Sequence, residues 1–259
     1  MHYSIENYKR IIQTLLEENY SFCDFFSIGT REEKFKVVVR HDIDFSPQMA
    51  LELAKIENDI GITTTYSVLL RSQIYNALSF WTKDIIDQIH NLGHQIILHY
   101  SVIRDIPPKE QLADFVRKDF DIFIKEFHYA QKAFAWHTPP EYFRNDGYDQ
   151  CEAEGLVNVC SSKFVKAVSY FSDSNLRHSV PKFIEIIKSK HSHLHLLFHP
   201  LNWIGGGDSM IEILAKAWKY IIRERELEAQ KNKEYTITFP GGMPSEILEN
   251  FAAEFAKRR

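Results

Sequence analysis

Between residues 35 and 99 the chain alternates between two hydrophobic periods. Residues 35–41 (FKVVVRH), 62–70 (ITTTYSVLL) and 95–99 (QIILH) are short runs rich in β-branched and apolar residues, which read as strands. The segments between them repeat their apolar residues every three to four positions. The first starts at Ser46-Pro47, a capping serine followed by a proline suited to a first helical turn, and stops at Gly61. The second spans 79–92, with Phe80, Ile85, Ile86, Ile89 and Leu92 on one face, and Gly93 ends it. A helix over 4–18 comes before this region. After it the reading continues with helix 109–127, strand 133–137 (AFAWH), a short helix near 146–154 and strand 156–160 (LVNVC). Further strands are expected at 166–171, 181–187 and 193–199 (HLHLLFH), then a long helix near 208–230. Strands separated by helical crossovers pair in parallel. Continuous apolar strands are covered on both faces. The expected fold is therefore α/β, with enough units to close, or nearly close, a distorted (β/α) barrel.

The 259 residues contain no Pro/Gly/Ser-rich linker and no internal repeat, so a single domain over 1–259 is expected. Its apolar fraction of 44% suffices for a large core. The net charge of −4 argues against nucleic acid as a partner. No stretch approaches the ~18 consecutive apolar residues of a membrane span. The opening MHYSIENYKRII lacks a basic region followed by an apolar run, so a cytoplasmic protein is expected. Three scattered cysteines, Cys23, Cys151 and Cys160, make neither a disulfide framework nor a thiolate metal site. The oligomeric state is not legible.

The chemistry-bearing residues cluster at strand ends. Strand 35–41 runs into His41-Asp42-Ile43-Asp44, and strands 95–99, 133–137 and 193–199 end in His99, His137 and His199. In a (β/α) barrel the C-terminal ends of the strands share one rim, where the βα loops converge on the active site. Two carboxylates and three imidazoles on that rim suit zinc or a similar divalent ion. A single histidine ending a strand can simply bond a loop. Burying this many polar groups together is costly unless they pair or bind something. His94 starts its strand and belongs to the opposite face. His191, His193 and His195 alternate along one polar strand face.

The sequence Arg40-His41-Asp42-Ile43-Asp44 resembles the first motif of the polysaccharide deacetylase superfamily, the NodB-homology or carbohydrate esterase family 4 domain, with the WbmS-like deacetylases the nearest subgroup. Gly93 to Tyr100, Trp136-His137-Thr138-Pro139-Pro140, Ser172-Asp173-Ser174 and His199 to Trp203 follow in the family's order, so the likeness covers roughly residues 35–205. It implies a distorted (β/α) barrel of the NodB type, with an N-terminal helix before the core and C-terminal helices after it. It also implies a metal-dependent hydrolase that removes an N-acyl group, N-acetyl first, from a sugar or glycan of surface-polysaccharide biosynthesis. By resemblance, Asp42 is the general base, Asp44 and His99 bind the metal, and His199 is the general acid. The ion would be Zn2+, with Co2+, Ni2+ or Fe2+ as alternatives.

The family's second metal-binding histidine falls four residues after the first, and here that position is Ile103. Three alternatives follow: His137 or His41 supplies the missing donor, water fills it, or the metal is lost and the chain is a sugar-binding relic. His137 is favoured because it ends a strand on the same rim. Tyr100, Asp173 and Trp203, next to the motif residues, are the expected substrate contacts. The substrate itself would be an N-acetylated sugar, nucleotide-linked, lipid-linked or part of a short glycan. Another C–N amide substrate on the same fold is the remaining alternative.

Overall fold

The structure is a computed structural model that describes residues 2–29, 34–101, 111–138, 155–244 and 246. Two compact units are present, Met1–Leu214 and Ala215–Arg259. The first contains α1 (Ile5–Glu17), β1 (Ser21–Phe22), β2 (Lys36–Ile43), α2 (Pro47–Ile60), β3 (Thr65–Leu69), α3 (Phe80–Asn91), β4 (Gln95–Ser101) and α4 (Leu112–Glu126). It continues with β5 (Ala133–His137), β6 (Val157–Asn158), α5 (Ser162–Ala167), β7 (Ser169–Ser172), α6 (Val180–Lys188), β8 (His193–Phe198) and α7 (Pro200–Gly205). Helix α8 (Met210–Ala229) begins in the first unit and ends in the second, which also holds α9 (Lys233–Thr238).

Every strand pair is parallel, and the sheet runs β6-β5-β4-β3-β2-β8-β7, with β1 beside the start of β2. β2 and β5 are three places apart, about 14 Å in a flat sheet. Yet His137, at the end of β5, reaches within 3.3 Å of Asp44, just past β2. The sheet is therefore curled into an incomplete barrel. All eight residues of β2 are buried, as a strand covered on both faces must be. Val37, Val39, His41 and Ile43 face the surrounding helices. Val38, Arg40 and Asp42 face inward, where Val38 joins Ile97, Ala135 and Val168.

Local signals account for most boundaries. Ser46 Oγ caps α2 by accepting from the Met49 backbone N–H at 3.2 Å, and Gly61 ends the helix at φ +85°. The segment 181–187, expected as a strand, is instead part of helix α6. Its isoleucines suggested a strand, but Val180, Phe183, Ile186 and Ile187 fall on one helical face, Ser179 caps the start, and Pro181 is tolerated in the first turn. The strand expected at 166–171 is divided between the end of α5 and β7, and that at 156–160 shrinks to Val157–Asn158. The helix near 146–154, together with Ile103 and Cys151, lies outside the described residues.

A buried polar knot fastens β2 to the helices outside the barrel. Glu57 on α2 is fully buried, and its carboxylate accepts hydrogen bonds from Tyr66 Oη at 2.6 Å, Thr64 Oγ1 at 2.8 Å and Tyr8 Oη. His41 Nε2 lies 2.8 Å from the same carboxylate. Burial alone would raise the Glu57 pKa, but the charge and hydrogen bond of His41, with those of its neighbours, hold it at about 2 against an ordinary 4.5. A depressed carboxyl pKa contributes stability above pH 4.5, and that stability is lost as pH falls from 4.5 toward 2. Glu57→Gln should cost about 3 kcal/mol at pH 7. It should also flatten the acid limb of stability in urea titrations run from pH 7 to pH 3. An unchanged acid limb would show that another group sets it.

Candidate metal and active site

Alternation along the strands decides which motif residues meet. Asp42 and His99 point into the barrel, and Asp44, His137 and His199 sit at or just beyond the ends of β2, β5 and β8. Asp44 Oδ1 lies 3.2 Å from His99 Nε2 and 3.3 Å from His137 Nδ1, and the two ring nitrogens are 3.2 Å apart. His99 Nδ1 faces the Ala135 carbonyl at 3.2 Å, which assigns the proton to Nδ1 and turns Nε2 toward Asp44. These three residues form a cluster able to hold a metal ion, with one donor atom from each within 4.8 Å of the others.

The donor chemistry fits a divalent ion. One carboxylate oxygen and two imidazole nitrogens form a borderline set of the kind zinc takes. Asp44 Oδ1 is buried and has no hydrogen bond of acceptable geometry among the described residues. A cation is the partner such an oxygen needs. Burial works against its charge, but the His137 and His99 rings hold the Asp44 carboxyl well below the usual carboxylate range.

Asp42 is buried beside this cluster. Arg40 binds both of its oxygens, with Nε at 2.9 Å and Nη2 at 3.0 Å, and Ser67 Oγ donates to Oδ1. Arg40 lies two residues earlier on the same strand, and Ser67 is the register partner of Asp42 on β3. Burial would raise the Asp42 pKa, but the charges of Arg40 and then His99 bring it to about 2. The carboxylate is thus permanently charged at neutral pH, with a fixed orientation.

His199 stands opposite. Its Nδ1 lies 2.6 Å from Asp173 Oδ1, and its backbone N–H donates to Asp173 Oδ2 at 3.0 Å. Its Nε2 is 3.6 Å from Asp44 Oδ2. Burial would lower the ring's pKa, but the charge and hydrogen bond of Asp173, helped by Asp44 and Asp42, raise it to about 9. The ring is therefore a cation at neutral pH. Asp42, Asp44, His99, His137 and His199 all line one cleft of about 750 Å³.

The other histidines and aromatic residues named from the sequence lie around this cluster or behind it. His41 is on the opposite face of β2, bound to Glu57, because it alternates with Asp42. His94 is buried against Thr64 and the Ala54 carbonyl. Tyr100, adjacent to His99, points away from the barrel interior and meets Trp136 edge-on at 5.3 Å in the helix-facing core. Trp203 is 1% exposed, packs against Tyr3, Tyr8 and Phe198, and donates its indole N–H to Asp173 Oδ2 at 2.9 Å. Asp173, fully buried, reaches His199 and Trp203. Neither Tyr100 nor Trp203 is among the described residues that line the cleft: Tyr100 packs in the helix-facing core and Trp203 supports the Asp173–His199 pair. Asp173, expected beside the substrate, contacts His199 through both of its carboxylate oxygens. Sequence reasoning gave no role to Arg40 or Ser67. The period of two from Asp42 back to Arg40 is visible in the sequence, but the Ser67 contact depends on strand register.

No family model matches the sequence, and no curated protein matches it. Among solved structures, it is similar to a CE4 family pseudoenzyme from Bacillus anthracis at 10% identity and a TM-score of 0.45, over 75% of this chain and 63% of that one. It is also similar to a mutant of that pseudoenzyme with restored enzymatic activity, at 10% identity and a TM-score of 0.43, over 75% of this chain and 65% of the other. The chain thus spans less than two thirds of the length of these structures. No helix among the described residues is long and apolar enough to cross a membrane.

Proposed function

We propose that this chain is a metal-dependent hydrolase that removes an N-acyl group, N-acetyl first, from a sugar or glycan intermediate of surface-polysaccharide synthesis. The observation that carries this reading is the Asp44–His99–His137 donor cluster, set in one cleft with Asp42 and His199. The order of the sequence motifs supports the sugar amide as the substrate class.

Asp44, His99 and His137 would hold a divalent ion, Zn2+ first and Co2+, Ni2+ or Fe2+ as alternatives, which would polarise the acyl carbonyl and lower the pKa of a water. Asp42 accepts a proton from the attacking water, held for this by Arg40 and Ser67. His199 keeps its Nδ1–H on Asp173 and gives its Nε2 proton to the leaving nitrogen as the C–N bond breaks. Water adds to the acyl carbon, and a carboxylic acid and an amino sugar leave. Asp42 is adjacent to the donor cluster, with its oxygen 3.6 Å from His99 Nε2, so base and metal ligands would act on one water.

The test is elemental analysis of the purified protein alongside acetate release from N-acetylated sugars. Wild type should hold about one divalent ion per chain, and His99→Ala should hold little and release no acetate. A wild type that stays metal-free when zinc is added, or full occupancy in His99→Ala, would sink the reading.

A further inference from the structure

Among the described residues, two guanidinium groups line the cleft. Arg40 is buried and tied to Asp42. Arg177 is exposed, and among the described residues its side chain makes no hydrogen bond, ion pair or ring contact. The carboxylates of Asp42 and Asp44 line the same cleft, and Arg40 already supplies the counter-charge of Asp42. A substrate with a negative group needs a compensating cation on the wall, and Arg177 is placed to be that cation.

The turn that presents Arg177 is held firmly. Ser174 N–H donates to Ser172 Oγ at 2.9 Å, Leu176 N–H to the Asp173 carbonyl at 2.9 Å, and Arg177 N–H to the Ser174 carbonyl at 3.1 Å. Asn175 and Leu176 both sit at φ 54°, a region a leucine rarely adopts unless its surroundings impose it. The same turn begins with Asp173, which positions His199. Arg177 therefore shares its turn with the residue that positions His199, the proposed proton donor to the leaving nitrogen.

We infer that Arg177 binds an oxyanion, a phosphate or a carboxylate, carried by the sugar whose amide is cut. The favoured substrate is then an N-acylated sugar phosphate or N-acylated uronic acid rather than a neutral sugar. A guanidinium fork suits either group, since both accept two parallel N–H bonds. This inference rests on the hydrolase reading above and adds the charge of the substrate.

Calorimetry tests it with N-acetylglucosamine, its 1-phosphate and its uronic acid, on wild type, Arg177→Ala and Arg177→Lys. One of the anionic sugars should bind wild type about 10- to 100-fold more tightly than the neutral one. Arg177→Ala should bring that ratio close to unity without changing the neutral sugar's affinity, and Arg177→Lys should retain part of it. The anion that shows the preference identifies the source as phosphate or carboxylate. Equal or undetectable affinity for all three sugars in wild type, or an unchanged ratio in Arg177→Ala, overturns the inference. Binding is read apart from turnover, so a preserved preference with no acetate released from any sugar would count against hydrolysis and not against Arg177.

Discussion

Asp42→Asn should lower acetate release by about 10²- to 10⁴-fold while metal content stays at the wild-type level. Asp42 is outside the Asp44–His99–His137 donor set, and its two oxygens are taken by Arg40 and Ser67. The amide keeps the shape and one oxygen for Arg40 but has no charge with which to accept the water's proton. It also leaves a buried guanidinium without its counter-charge, which costs about 3–5 kcal/mol of stability. Thermal unfolding and zinc content therefore need to be measured on the same preparation as turnover. Ser67→Ala gives a milder companion, since it removes one hydrogen bond and leaves the ion pair intact. Near wild-type turnover in Asp42→Asn would remove Asp42 from the base role. Metal loss equal to that of His99→Ala would make it a ligand instead.

The second large effect is at Asp173, which touches His199 and not the cleft. The His199 pKa of about 9 places the alkaline limb of turnover there, because a general acid is lost as pH rises through its pKa. Asp173→Asn removes the charge that outweighs burial, so the limb should fall toward or below the ordinary 6.5. At neutral pH turnover should then drop by about 10²-fold or more. Trp203→Phe, which deletes one donor to Asp173 and leaves the carboxylate in place, should move the limb much less. A pH–rate profile unchanged in Asp173→Asn would show that His199 is not the proton donor.

The helix at 47–60 was legible because its punctuation is local: Ser46 and Gly61 satisfy or end backbone hydrogen bonding within a turn of themselves. Segment 180–188 carried equally good signals in Ser179 and Pro181, but its isoleucines pointed toward a strand, and the helical spacing of Val180, Phe183 and Ile187 decides the matter. At the site, strand-end position placed Asp44, His99, His137 and His199 on one rim, and the structure brings them together. The aromatic residues beside them are placed by strand alternation. Tyr100 directly follows a residue that points inward, so it must point outward.

The sequence alone determined the alternation of strands and helices, their parallel pairing and the ends of strands where ionisable groups gather. Each of these follows from hydrophobic period and capping within a few residues. Tertiary structure decided that Arg40 and Ser67 clamp Asp42, how closely His137 and Asp173 approach Asp44 and His199, and that Arg177 has no side-chain partner among the described residues. These depend on strand register and on the curl of the sheet, which bring residues far apart in the chain within 3–4 Å, a distance local sequence does not encode.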